Sequence, residues 1–389
     1  MGNVGKTLKA ARKQRGLTQG ELAKASGVSI SIIRKLEQGD RATARMETLR
    51  MLAAALQVTT TQLMNGPKAE GPVVGTEERW EAVRSALVLP PPPRELDDEP
   101  PTIAGVKRAL DDSVPLFAKD KFGELSTVLP GMLRDADALG TEGRSIRARL
   151  LQLSGWLMVA TRQFDLADVA LQRAMDGAAD PMDGAATANI KCWLLLRQGK
   201  LESALNLAVE WADEIEPRPS RATPAELSTW GWMLLRLSAA AVRNQEPDTA
   251  EHAMRLAQGA AVMLGREHTP ENDFLMTFGP TTVKLKTAEN ASVTNRPDVV
   301  LRLAQKIPVS TLRATSNNRN RHLLDVADAY VKTGEYAEAF DKLSEIRASS
   351  PEWLPNQTYA RTVMRRIVEG RRTLTSEMRD MATAIHLDL

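Results

Sequence analysis

The chain has 389 residues, of which 43% are hydrophobic and 4% are aromatic. This length exceeds that of one ordinary compact core, so two or more domains are expected. The single cysteine, Cys192, excludes an internal disulfide, and we find neither a signal-peptide core nor a run of about 18 uncharged apolar residues. We therefore expect a cytoplasmic protein with no membrane contact.

Charge is distributed unevenly along the chain. Residues 1–66 contain 11 Lys and Arg against four Asp and Glu, whereas the remainder contains 40 basic and 45 acidic residues. A basic module on an acidic body is typical of a protein whose N-terminal part binds a polyanion. Charge alone fits a merely soluble, charged helical domain equally well.

Residues 5–65 are predicted to form five short helices. Apolar residues recur at helical spacing within each, and glycines mark the turns, which gives helices near 6–15, 19–26, 30–38, 46–56 and 60–64. Thr18 and Ser29 stand where N-caps are needed. Glu21, three residues after Thr18, completes a capping box.

The stretch LKAARKQRGLTQGELAKASGVSISIIRKLEQGD, residues 8–40, resembles the Xre family of phage-repressor and Cro-like helix-turn-helix proteins. The match covers about 60 residues and combines several independent requirements. Gly27 lies at the tight turn, where a positive φ costs least. The resemblance implies a buried salt bridge between Arg12 and Glu37. The positions expected to face the core are Leu22, Ala23, Val28, Ile33 and Leu36.

The resemblance places the third helix in the major groove of double-stranded DNA. Arg and Lys side chains can donate to guanine, and isoleucine can pack on thymine methyl groups. The predicted DNA-binding residues are Gln19, Ser29, Ile30, Ser31, Ile32, Arg34, Lys35, Arg41 and Arg45. Among them, Gln19, Arg41 and Arg45 are expected on phosphates. Two isoleucines leave an alternative open: either the operator is T-rich, or one of them belongs to the core.

The rest of the chain is predicted to be a linker followed by paired helices. Residues 67–101 are rich in Gly and Pro, and Pro90–Pro93 is expected to form a stiff polyproline segment. A short amphipathic helix is possible at Thr76–Leu89. From about residue 102, small and apolar residues recur four positions apart at spacings of about 37 to 46 residues. The cleanest unit is Asn320–Pro351, which fits a tetratricopeptide repeat.

These features divide the chain into a helix-turn-helix domain at 1–66, a linker at 67–101 and a repeat domain at 102–389. The predicted fold class is all-α, with a lambda-repressor-like domain and a helical-repeat solenoid. A generic helical bundle is the alternative. The architecture resembles peptide-sensing regulators of Gram-positive bacteria, and more closely a group of Xre-plus-repeat regulators common in actinobacteria. The segment Phe278–Thr281 and the helices after it carry the closer resemblance.

The first helix of each repeat is expected to line a ligand groove. Tryptophans with amide neighbours suit a peptide, since amides pair with an extended backbone and indoles form apolar pockets. The predicted ligand-binding residues are Gln152, Trp156, Asn189, Trp193, Arg197 and Trp232. The alternative is that the tryptophans only pack between helices.

These patterns favour a homodimeric transcription regulator that binds a pseudo-palindromic operator and responds to a signal peptide or small molecule. A second hypothesis is an adaptor whose repeats dock a partner protein with no diffusible ligand. An enzyme is the third, and no catalytic residue, metal site or cofactor is predicted. The four histidines have no ligand spacing, and Cys192 is expected in a buried helix.

Overall fold

The computed structural model describes residues 4–40, 44, 46–56, 58, 63, 76–89, 101–270, 273–307 and 316–389. Every regular element in this part is a helix, and its one β pairing is an isolated bridge between His268 and Phe278. The predicted all-α class is confirmed.

The N-terminal domain contains the helices α1 (Val4–Gln14), α2 (Gln19–Ser26), α3 (Ile30–Gln38) and α4 (Met46–Leu56). Their apolar faces share one core, in which Leu8, Leu22 and Ile33 are completely buried. Of the predicted fifth helix, 60–64, only Leu63 lies within the described residues, and it joins this core.

The predicted caps of this domain are confirmed. The Thr18 hydroxyl accepts from the Glu21 amide at 3.2 Å, and the Glu21 carboxylate accepts from the Thr18 amide at 2.7 Å. Ser29 caps α3 by accepting from the Ile32 amide at 3.4 Å. Gly27 ends α2 in the left-handed region, with a φ of 70°, where a side chain would be strained.

The remaining helices of the described chain are α5 (Thr76–Val88), α6 (Ile103–Ala118), α7 (Phe122–Ala138), α8 (Arg144–Ala160), α9 (Phe164–Asp176), α10 (Pro181–Arg197), α11 (Leu201–Glu214), α12 (Pro224–Arg243), α13 (Pro247–Leu264), α14 (Pro280–Val293), α15 (Pro297–Ala304), α16 (Ser316–Thr333), α17 (Tyr336–Ser349), α18 (Thr358–Gly370) and α19 (Ser376–Ala384). From α6 to α17 they form antiparallel pairs. We call the first member of each pair an A helix and the second a B helix. Each A helix also packs on the A helix of the next pair, and α18 packs on the last one, so the pairs stack into an array.

The same turn joins the two helices of every pair. One residue of each turn adopts the left-handed conformation: Asp120, Arg162, Gly199, Gln245, Asn295 and Gly334. The amide of the following residue then donates to the carbonyl five positions earlier, at 2.8–3.0 Å. This is the Schellman arrangement that satisfies the last carbonyls of a helix. Six equivalent turns therefore mark the repeats, although their spacing varies, from 37 residues between 162 and 199 to 50 between 245 and 295.

Helix α5 belongs to the packed body. Its predicted apolar face, Trp80, Val83 and Leu87, is at most 3% exposed and lies against α7 and α9. The Arg173 guanidinium on α9 donates to the Leu87 carbonyl at 3.0 Å. The segments 67–75 and 90–100, which include Pro90–Pro93, lie outside the described residues.

The connection from α13 to α14 crosses the A helices. We call residues 265–279 the strap; positions 271 and 272 lie outside the described residues. His268 and Phe278 exchange both backbone hydrogen bonds, at 2.9 and 3.0 Å. The Glu267 carboxylate accepts from the amides of Thr281 and Thr282, at 2.6 and 3.2 Å, which caps α14.

The N-terminal domain touches the end of the array. The Lys13 ammonium on α1 donates to the carbonyls of Val368 and Glu369, at 2.6 and 3.3 Å. These carbonyls belong to the last turn of α18, where a cation also meets the negative end of the helix dipole. Lys13 is only 3% exposed, so this contact is part of a closed interface.

Candidate DNA interface and ligand face

Helix α3 is held in place by a buried ion pair. The Arg12 guanidinium on α1 donates to both Glu37 carboxylate oxygens, at 2.6 and 2.9 Å, and the two side chains are 7% and 3% exposed. Arg12 also donates to the Leu17 carbonyl at 2.7 Å. The salt bridge that the family resemblance implied is thus present. A bidentate pair with all its groups satisfied fixes both the distance and the rotation of α3 relative to α1.

The two faces of α3 differ sharply. Ile33 and Leu36 are completely buried, and Val28 just before the helix is 6% exposed. The opposite face carries Ser31, Arg34 and Lys35, which are exposed. A short helix with an anchored apolar face and a free polar face is what major-groove reading requires.

The structure separates the two isoleucines that the sequence left open. Ile32 is half-buried and packs against the domain core. Ile30 is 38% exposed at the first turn of α3. Ile30 is therefore the isoleucine available for an apolar contact outside the domain.

Gln19 is half-buried, and its side-chain amide donates to the Glu37 carboxylate at 2.8 Å. This bond ties the start of α2 to α3 and uses one of the two N–H donors of the Gln19 side-chain amide. Ser29 is exposed but uses its hydroxyl as the α3 cap. Arg41 and Arg45 lie outside the described residues.

The predicted ligand residues share one side of the A helices, which we call the A-helix face. Gln152, Trp156, Asn189 and Trp232 are only 2–4% exposed, whereas Trp193 and Arg197 are half-buried. Trp156 packs against Trp193 in a tilted arrangement, with ring centroids 6.2 Å apart, and makes an edge-to-face contact with Phe117 at 6.1 Å. The Gln152 amide donates to the Thr187 hydroxyl at 3.1 Å. All four buried side chains thus meet partners within the chain.

The strap covers much of this face. Asp273 pairs with Arg149 on α8 at 2.9 Å, and the Asn189 amide on α10 meets the Met276 sulfur at 3.2 Å. On α12, the Trp232 indole donates to the Thr277 carbonyl at 2.8 Å. The strap therefore contacts three successive A helices through backbone carbonyls and side chains, partly from a single 3-10 turn at Phe274–Met276.

A phenylalanine wedges the strap in place. Phe278 is completely buried, and its ring lies over Gly231 on α12. A Cβ at Gly231 would fall 2.3 Å from the nearest ring carbon. Only glycine allows the ring so close to the helix backbone.

Beyond the strap, the A-helix face carries a network of buried charges. Arg236 donates to the Asn189 amide oxygen at 2.7 Å, and Arg243 and Lys286 donate to Glu289 at 2.7 and 3.0 Å. Although burial opposes it, the charges of Lys286, Arg321 and Arg243 hold the pKa of Glu289 well below its usual value. The network links α10, α12 and α14.

The network continues onto α16 and α18. Arg321 donates to Asp325 at 3.1 Å and lies 4.0 Å from Glu289. Its guanidinium is centred 4.7 Å from the Tyr359 ring. Arg236, Lys286 and Glu289 were not among the residues predicted from the sequence. Their helical register, on the same face as Asn189 and Trp232, was the available signal.

The described residues include one thiol, which is buried. Cys192 is completely buried on α10, and burial raises the pKa of its thiol to about 12, so the thiol is neutral at physiological pH. Groups of three or more His, Cys, Asp or Glu arranged for a metal ion do not occur in the part of the chain that the structure describes. Within the same part, every helix is too short or too polar to cross a bilayer.

Comparison with known proteins agrees with the geometry of the N-terminal domain. The helix-turn-helix family model matches residues 8–63, which are the residues that position α2 and α3. This segment is a helix-turn-helix domain. It includes the Arg12–Glu37 pair, the Gly27 turn and the exposed face of α3.

Two curated relatives from Bacillus subtilis (strain 168) share the helix-turn-helix domain. The uncharacterized HTH-type transcriptional regulator RghRB is 41% identical over 64 residues, which are 16% of this chain and 46% of that protein. The HTH-type transcriptional repressor RghR is 39% identical over 64 residues, or 16% and 47%. The chain thus spans about half the length of the curated relatives it matches.

Among solved structures, the chain is similar to PlcR of Bacillus thuringiensis, determined in complex with the peptide PapR7 and DNA. The sequences are 11% identical, and the match covers 87% of this chain and 98% of that one, with a TM-score of 0.36.

Proposed function

We propose that the protein is a sequence-specific DNA-binding transcription regulator that acts as a homodimer, and whose repeat array receives a peptide or small-molecule signal. The observation that carries the proposal is the α3 face: Ser31, Arg34 and Lys35 are exposed on a helix whose other side is fixed by Arg12–Glu37. The proposed division is 1–66 for DNA binding, 67–101 as a connector and 102–389 for signal reception and dimerisation.

In this proposal, α3 enters the major groove. Arg34 and Lys35 donate to guanine O6 and N7, Ser31 reads a neighbouring base, and Ile30 packs on a thymine methyl group. Gln19 contacts a phosphate at the start of α2, where the helix dipole favours an anion. Arg41 and Arg45, which follow α3 in the sequence, contribute further phosphate contacts.

One domain of this size buries little DNA surface, so tight binding requires two copies. A symmetric dimer presents its two α3 helices one DNA turn apart, about 34 Å, and reads a pseudo-palindrome. A signal acts by binding one arrangement of the array better than another, because a ligand shifts an equilibrium only through its differential affinity. In this proposal the two arrangements differ at the strap. Trp232 and Asn189 become available to a ligand only when their contacts with Thr277 and Met276 are broken.

The DNA-binding part is tested by selecting operators from random duplexes with the full chain and measuring affinities by fluorescence anisotropy. We expect Arg34→Ala and Lys35→Ala to reduce the preference for the selected site over random DNA by about 10-fold or more, because each good base contact is worth about 1–3 kcal/mol. Arg41→Ala should weaken binding to both duplexes alike and lower the salt slope by about one. Arg255→Ala on α13, an exposed residue in the array, is the charge-matched control.

Equal affinity of the unsubstituted protein for selected and random duplexes would contradict the regulator proposal. Sedimentation equilibrium of the full chain with and without the selected duplex tests the dimer. A single copy of the chain bound to a complete operator would contradict the proposal of a symmetric dimer.

A further inference from the structure

The A-helix face holds more positive than negative charge. This face carries five cations and two carboxylates: Arg197, which bonds to Gln357 and Asn356, and the network members Arg236, Arg243, Lys286 and Arg321 with Glu289 and Asp325. Glu289 is shared by Arg243 and Lys286, at 2.7 and 3.0 Å. Asp325, whose side chain is only 1% exposed, forms an ion pair with Arg321.

Two of these arginines have neutral hydrogen-bond partners only. Arg236 donates to the Asn189 amide oxygen and lies over the Trp232 ring, 5.2 Å from its centroid. Arg197 donates to the Gln357 amide oxygen at 2.9 Å and to the Asn356 carbonyl at 3.4 Å. Neither forms an ion pair with any carboxylate of the described residues.

These cations are held at a cost. Burial, together with the nearby Arg162, Arg321 and Arg361, lowers the pKa of Arg197 to about 9. Burial also lowers the pKa of Arg236 to about 10. Glu289 partly offsets the burial of Arg236, whereas Arg197 has only cations as charged neighbours. Buried cations with too few counter-charges destabilise the protein that contains them. Such an arrangement is typical of a site that binds an anionic ligand.

The network is enclosed yet reachable. Lys286, Arg243 and Arg321 keep 12%, 20% and 31% of their side-chain surface exposed. The Arg197 Nε–H is buried and has no hydrogen-bond partner, although both other nitrogens of the group donate. A buried guanidinium donor without a partner lacks an acceptor that a bound group can supply.

An aromatic ring organises part of this site. Arg236 and Lys286 lie 5.2 and 5.6 Å from the centroid of the same Trp232 ring. The indole is itself fixed by its hydrogen bond to the Thr277 carbonyl of the strap. The two cations are therefore positioned by a rigid group that also contacts the strap.

We propose that the cations of the A-helix face, with Arg197, Arg236 and Lys286 as the principal contacts, bind a ligand through its anionic groups, carboxylates or phosphates. The inference deepens the proposed function, because it assigns a chemical class to the signal that the array receives. Guanidinium groups suit both anions, since their parallel N–H groups match two oxygens at once. The excess of cations over carboxylates favours a group with more than one negative charge.

The test uses the full chain and two probes, citrate for polycarboxylates and inorganic pyrophosphate for phosphates. Each is added at no more than about 5 mM in constant ionic strength, which keeps general salting effects small. We expect at least one probe to raise Tm above the chloride value and to give saturable binding by calorimetry. The probe that binds more tightly identifies the anion type.

Arg197→Met and Arg236→Met are the decisive variants, and Arg255→Met on the exposed part of α13 is their control. We expect each decisive variant to lose at least 10-fold in probe affinity, whereas the control retains it. Without probe, Arg197→Met should be at least as stable as the parent, because it relieves an uncompensated positive charge. A cation that only supports the fold would show the opposite, a lower Tm.

Two results would overturn the inference. One is the absence of saturable binding by both probes to the unsubstituted chain. The other is unchanged probe affinity in both Arg197→Met and Arg236→Met, whichever way their stability moves. Operator affinity is measured separately: if a probe binds and operator affinity stays constant, the anion site stands and the signal-receiving part of the proposed function fails.

Discussion

Replacing Gly231 with alanine tests how the strap is held. The added Cβ would lie 2.3, 2.5 and 2.6 Å from three ring carbons of Phe278. Carbon atoms pack at about 3.5–4.0 Å, so the ring must retreat by about 1 Å or more. Phe278 is fully buried and exchanges two backbone hydrogen bonds with His268, so the movement also strains that bridge.

The expected loss of stability is about 1–3 kcal/mol, the usual range for overpacking a filled core. For a domain of this size each kcal/mol lowers Tm by about 2–4 °C. Amide exchange at Phe278 should accelerate, because its N–H donates to the His268 carbonyl at 3.0 Å in the intact strap. Calorimetry and hydrogen exchange with mass spectrometry measure the two effects on the same sample.

Gly259→Ala is the matched control. Gly259 is exposed within α13, and a Cβ there meets no atom within 4 Å, so alanine should raise the free energy of unfolding by about 0.5–1 kcal/mol. If Gly231→Ala behaves like this control and Phe278 keeps its slow exchange, the wedge described here does not hold the strap.

Three further predictions concern the fold. Arg12→Met or Glu37→Met alone should cost about 3–5 kcal/mol and abolish operator binding, whereas the double variant should recover most of the stability; additive losses by chemical denaturation would show that the pair is not coupled. His322 is buried and neutral, with a pKa lowered by burial to about 4, so the native state binds fewer protons than the unfolded state between pH 4 and about 6.5. Stability should therefore fall by about 2 kcal/mol from pH 7 to pH 5 through this group, and urea midpoints of His322→Leu should show a correspondingly weaker pH dependence. At the repeated turns, Gln245→Gly should raise and Gly199→Ala should lower the free energy of unfolding by about 1 kcal/mol; changes of equal sign in thermal melts would contradict the shared left-handed geometry.

The helix-turn-helix domain was largely predictable because its signals are local. The capping box at Thr18 and the turn at Gly27 depend on neighbours within a few residues. The Arg12–Glu37 pair spans 25 positions, and it was inferred through the family resemblance. Which isoleucine faces outward depends on the rotation of α3 against the core, which residue types alone do not determine.

The repeat boundaries were predictable in part. Gly199 and Gly334 mark two of the six turns, but Arg162 and Asn295 occupy the same left-handed position without a glycine signal. There the stacked helix pairs impose the backbone conformation against the preference of the residue. Composition therefore cannot locate every turn.

The position of the A-helix face was predictable from the sequence, whereas the burial of its side chains was not. Helical register correctly placed Asn189 and Trp232 on the same side of the A helices. Their burial comes from Met276 and Thr277, which lie 45 or more positions further along the chain. Contacts of that separation leave no periodic signal in the sequence.

Two neighbouring side chains of α1 connect the end of the array to α3. Lys13 donates hydrogen bonds to carbonyls in the last turn of α18. Arg12, one residue earlier, forms the ion pair with Glu37 of α3. A displacement of α18 is therefore expected to move α1 and, through the Arg12–Glu37 pair, α3 as well. Helix α1 thus links the end of the array directly to α3.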